Sequence, residues 1–123
     1  MKRRGFTLVE LMVVMAIVAL LLSLALPRYF NHLDSARETI LRQDLAVMRD
    51  AIDKYHGDRG RYPDSLDTLV EARYLRALPV DPITERADTW QVVAPPGDDA
   101  GAVYDIHSGA PGKGRDGTAY ADW

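Results

Sequence analysis

The sequence predicts an α+β fold in which one long N-terminal helix packs on a small antiparallel sheet. Three observations carry that expectation. From Leu8 to Leu26 the only charged residue is Glu10. Further along, Leu41, Leu45, Met48, Ile52 and Tyr55 recur at steps of four, three, four and three, the spacing of one helical face. Two short runs near the end, Thr89–Val93 and Ala102–Ile106, are rich in strand-forming residues.

The apolar run spans roughly 28 Å as a helix at ~1.5 Å per residue, close to the hydrocarbon thickness of a bilayer. Lys2, Arg3 and Arg4 precede it, which places the N-terminus in the cytoplasm and carries the remainder across the membrane. Pro27 follows the run. Within a helix it removes one hydrogen bond and introduces a kink.

The stripe from Leu41 to Tyr55 continues the helix, so a single element from about Phe6 to His56 is expected, ended by Gly57 and Gly60. The stripe needs a cover. Arg37, Glu38, Arg42, Asp44, Arg49, Asp50, Asp53 and Lys54 occupy other positions and read as a mostly solvated face. Next, Tyr62-Pro63 is extended, because a residue before proline avoids the helical region. A short helix follows with Asp64 as N-cap and Leu66, Leu69 and Val70 as its apolar face. The proline- and glycine-rich stretch Pro95–Gly101 is a loop joining the two strands into a hairpin.

The chain has 123 residues, 15 basic and 18 acidic, and no cysteine. Removing residues 1–5 leaves 12 basic against 18 acidic side chains, a net of −6, which argues against a nucleic-acid partner. Only about 90 residues remain for a soluble part, so its core is small. His32, His56 and His107 have no metal-ligand spacing, Ser108-Gly109 lacks the flanking glycines of a nucleophile elbow, and Gly112 and Gly114 do not open a helix. No catalytic constellation emerges.

Glu10 decides how the N-terminus is read. An ordinary signal peptide accounts for the basic start, the apolar stretch and a small-x-small site at Ser23-Leu24-Ala25. It leaves unexplained both the acid and the helical pattern beyond the cut. A plain membrane anchor gives Glu10 no task, although a carboxylate among lipid is costly.

Gly5-Phe6-Thr7-Leu8-Val9-Glu10 resembles the class III signal of type IV pilins and of the pseudopilins of type II secretion. The resemblance implies a pilin-like fold and three parts: a leader, residues 1–5, cleaved; a transmembrane and assembly helix, residues 6–27; and a periplasmic head, residues 28–123, including the second half of the long helix. A prepilin peptidase cuts between Gly5 and Phe6 and methylates the Phe6 amine. Glu10 pairs with that amine on a neighbouring copy and sets the stagger of a homo-oligomeric helical fibre. Other pseudopilins, an inner-membrane assembly platform and membrane lipid are the implied partners. Pro27 matches the kinking proline of pilins. The resemblance places the chain in the bacterial inner membrane, single-pass, with the head in the periplasm, until it joins a periplasmic fibre.

Leu78-Pro79-Val80-Asp81-Pro82 is similar to the "LPxDPWG" segment of the major pseudopilins, with Ile83-Thr84 in place of Trp-Gly. Tyr104-Asp105-Ile106-His107-Ser108 and the closing Asp122-Trp123 resemble the G-type pseudopilin. That relative holds calcium in the loop between these points. Here Asp116, Asp122 and Ser108 are the available ligands, while Lys113 and Arg115 intrude. The competing expectation, which we favour, is a metal-free glycine-rich loop pinned by Trp123 against the sheet. The implied function is that of a structural subunit that drives or scaffolds protein export. A type IV pilus pilin is the alternative within the family, and a secreted or membrane-anchored enzyme the alternative outside it.

Overall fold

The computed structural model describes residues 5–123, so the basic cluster Lys2–Arg4 lies outside the described residues. The elements are α1 (Leu8–Arg59), α2 (Leu66–Glu71), β1 (Gln91–Val93), β2 (Asp105–His107) and a final 3₁₀ turn (Tyr120–Asp122). β1 and β2 pair antiparallel, with Val92 opposite Ile106. The expected α+β architecture is therefore present. The chain divides into two compact units, one through Asp34 and one from Ser35 to Trp123.

Among the described residues the first unit is mainly the apolar N-terminal part of α1, from Leu8 onward. Every residue from Leu8 to Phe30 is exposed, and among the described residues α1 is the helix long and apolar enough to cross a membrane. Pro27 lies inside α1.

The second unit is the head. The stripe read from the sequence is its core: Leu41, Leu45, Met48, Ile52 and Tyr55 are all buried, joined by Ala51. They pack with Leu69, Leu75, Trp90, Val103 and Ile106. Full burial of one such aliphatic side chain contributes about 1.5–3 kcal/mol, so this cluster is the main cohesive element of a domain without disulfides.

The boundaries differ from expectation for identifiable reasons. α1 continues through Gly57 and ends at Arg59, and Gly60 closes it with φ +69° and an N–H that donates a hydrogen bond to the His56 carbonyl at 2.9 Å. Ser65, not Asp64, caps α2 by accepting from the Thr68 amide. Asp64 is instead held by the Arg61 guanidinium at 2.6 Å. β2 begins three residues later than its apolar run, because the Ala102 and Val103 amides donate to the Pro63 carbonyl. That pairing brings the backbone of Tyr62 against Gly101, where a Cβ would lie 2.1 Å from the Tyr62 carbonyl oxygen. Glycine is required there by space and by a φ of +109°.

Candidate functional site

Two regions concentrate chemistry that the core does not need. The first is the start of α1. The Thr7 hydroxyl accepts from the Glu10 amide at 3.1 Å, and the Thr7 amide donates back to the Glu10 carboxylate at 3.4 Å. This is a reciprocal capping box, which satisfies two donors that a helix start otherwise leaves open. The anion also lies at the positive end of the helix dipole. The pairing of Glu10 with Thr7 was missed in the sequence reading, although Thr-x-x-Glu ahead of an apolar run is its signature. Phe6 precedes the helix and is 86% exposed. A Cβ at Gly5 would meet nothing within 4 Å, so the fold of the isolated chain does not demand glycine at that position.

The second region is the loop of residues 108–123. The structure separates Ser108 from the other two oxygen donors considered for calcium. Ser108 is buried, donates its hydroxyl to Asp81 and accepts from the Ala110 amide. Full burial also removes it as a nucleophile for any substrate. Asp116 and Asp122 do line one hollow, but Arg42, Arg49 and Lys113 line it too. Asp116 accepts from the amide and hydroxyl of Thr118 at 3.0 and 2.6 Å and from Arg42 at 3.1 Å. Those Thr118 bonds, aided by the Arg42 charge, hold its carboxyl below the usual range and keep it ionised. Calcium wants six to eight oxygens. A hollow with three cationic side chains, whose one bonded carboxylate is already shared, does not fit it. Among the described residues no three His, Asp or Glu side chains converge on a metal position.

Three side chains assigned to the solvated face hold this loop instead. Glu38 accepts from the Arg115 amide at 2.8 Å and the Tyr120 hydroxyl at 3.1 Å. Arg42 stacks over the Trp123 ring at 3.9 Å. Arg49 reaches Asp105 and the Ile106 carbonyl, both at 2.8 Å, and the Trp123 main-chain oxygen at 2.7 Å. Trp123 is seated as expected: it packs on the core, meets Tyr120 edge-on and donates its indole N–H to Thr118 at 2.7 Å. Gly114 passes so near that ring that a Cβ would lie 2.3 Å from it.

The Leu78–Pro82 segment is structural. Its Asp81 is fully buried, with one oxygen accepting from the Ile83 and Thr84 amides and the other from Ser108. The Pro79 carbonyl accepts the Trp90 indole N–H at 2.9 Å. His56 stacks on Tyr62, and His107 Nδ1 donates to the Trp123 main-chain oxygen at 2.6 Å.

Residues 1–26 match the family model described as the prokaryotic N-terminal methylation motif. The type II secretion system core protein G of Pseudomonas aeruginosa is 33% identical over 133 residues, covering 92% of this chain and 89% of the relative. The Escherichia coli K12 protein of that name is 32% identical, covering 89% and 83%. The Vibrio cholerae protein is 30% identical, covering 95% and 88%. No solved structure gives a significant match. With the methylation motif on its apolar helix and the likeness running through the head, the chain belongs to the type II secretion system core protein G family.

Proposed function

We propose that this chain is the structural subunit of a periplasmic pseudopilus that drives or scaffolds protein export by type II secretion. The observation that carries the reading is Glu10, an acid fixed at the head of a fully exposed apolar helix within a methylation motif. The leader is cut between Gly5 and Phe6, and the new Phe6 amine is methylated.

After the cut, each copy carries a cationic amine and a carboxylate about one helical turn apart. Either charge alone is costly in apolar surroundings, and pairing between neighbouring copies removes much of that cost. A buried pair of this kind chiefly specifies register. The apolar side chains from Leu8 to Phe30 contact lipid before assembly and the helices of other copies after it. Pro27 removes a backbone donor, and we place the bend of the helix there. Insertion is single-pass in the inner membrane, N-terminus inside, with the head in the periplasm, the assembly platform and other pseudopilins as partners. The role is mechanical, without catalysis.

The test is Glu10→Ala in cells carrying the peptidase and assembly proteins. The expected result is normal cleavage, with mass spectrometry finding methylated Phe6, and loss of fibres and of export. Normal fibres from Glu10→Ala overturn the registering role. A mature chain starting at Leu26 overturns the fibre reading as a whole.

A further inference from the structure

We propose that Arg42 and Arg49 hold the loop of residues 108–123 in the role that a divalent cation fills in a calcium-bound loop, so that the head takes no calcium there. The geometry is that of a clamp. Glu38, Arg42 and Arg49 follow one another along α1 at steps of four and seven, which keeps them on one helical face. Each reaches a different part of the loop. Glu38 takes the Arg115 amide and the Tyr120 hydroxyl. Arg42 bridges Asp116 and the Trp123 ring. Arg49 ties Trp123 to Asp105 and Ile106 of β2.

The chemistry disfavours calcium at each donor. A guanidinium 3.1 Å from the Asp116 carboxylate already supplies the positive charge that a cation would bring. A divalent ion on Asp116 or Asp122 enters a hollow also lined by Arg42, Arg49 and Lys113, and it meets their repulsion. Loop carbonyls are engaged as well: those of Gly112, Gly114, Thr118, Ala119 and Tyr120 each accept an amide from within the loop. Ser108, the remaining donor, is bound to Asp81. The loop thus closes with its own backbone bonds, and α1 supplies the cations. Arginine suits this task because it is always charged, stacks on an aromatic face and donates to several acceptors at once.

The experiment uses the full-length chain in detergent micelles and reads cleavage by endoproteinase Lys-C at Lys113–Gly114. Lys113 is exposed but bridged to Ala119, so cutting reports loop opening. The expected result is one cleavage rate for the unmodified chain in millimolar calcium chloride and in chelator, with no saturable heat on calcium titration. Arg42→Gln and Asp116→Asn raise the rate about fivefold, equally in both solutions, because cleavage follows the open population. Asp116→Asn changes only an exposed loop side chain, so it decides the matter if Arg42→Gln fails to fold. Slower cutting of the unmodified chain in calcium, or saturable calcium binding, overturns the proposal. So does cleavage of Asp116→Asn at the unmodified rate.

Discussion

The Ser108 hydroxyl donates at 2.5 Å to the buried carboxylate of Asp81, joining positions 27 residues apart. Asp81 caps its own turn with one oxygen and receives Ser108 on the other. Among the described residues no buried side-chain polar atom lacks a partner. Ser108→Ala orphans one carboxylate oxygen, a loss of about 1–3 kcal/mol. Asp81→Ala costs more, because two amides and the serine all lose their acceptor. Asp81→Asn keeps the shape and the cap, and it falls between the unmodified chain and Asp81→Ala. Thermal unfolding of the full chain in detergent checks the order, at about 4–8 °C per kcal/mol for a head of this size. Equal melting of Asp81→Ala and the unmodified chain contradicts it.

Arg49 distinguishes shape from charge. Its guanidinium makes three hydrogen bonds to groups on β2 and Trp123. Lysine keeps the charge but cannot fork to all three. Arg49→Lys therefore destabilises nearly as much as Arg49→Ala, by about 1–2 kcal/mol given the partial exposure of the pair. A lysine variant that melts with the unmodified chain would mean that charge alone suffices.

Asp44 supplies a pH dependence. Burial first, and then the nearby Asp81 charge, raise its carboxyl above the ordinary value of 3.8. The fold therefore favours the protonated acid. The penalty is present in full above the raised folded value and disappears below the unfolded one. Asp44→Asn removes it, so the variant melts higher than the unmodified chain at neutral pH. The gap between the two chains closes as pH falls through the carboxylate range. A gap that widens on acidification reverses the assigned sign.

Periodicity made the long helix and its stripe legible, because burial on one face of a helix leaves a regular trace from Leu41 to Tyr55. The N-terminal methylation motif over residues 1–26 was legible because a motif is local and ordered. The clamp was not. Glu38, Arg42 and Arg49 have the polarity of a solvated face, and what turns them inward is a loop more than fifty residues away. Ser108 looked like a loop ligand because sequence proximity to Asp116 stood in for spatial proximity. Its actual partner, Asp81, lies on the other side of the hairpin in the chain. Strand limits shifted because the Pro63 carbonyl competes for the amides of Ala102 and Val103, and long-range pairing leaves no local signal.

The capping box at the start of α1 makes Thr7 testable apart from Glu10. Thr7 accepts from the Glu10 amide, and the carboxylate accepts in return from the Thr7 amide. Losing the hydroxyl leaves the Glu10 amide without its side-chain acceptor in the first turn, where no intrahelical carbonyl can replace it. Thr7→Val keeps the branched shape and removes only the oxygen. The cost of a lost N-cap is typically ~1 kcal/mol, which is about a fivefold faster hydrogen exchange at the Glu10 amide when opening is local. Amides in the head, beyond Ser35, keep their rates. Exchange of the full chain in micelles, read residue by residue, gives both quantities. An unchanged rate at Glu10 would mean that the cap does not persist in solution and that Glu10 is positioned by the helix alone.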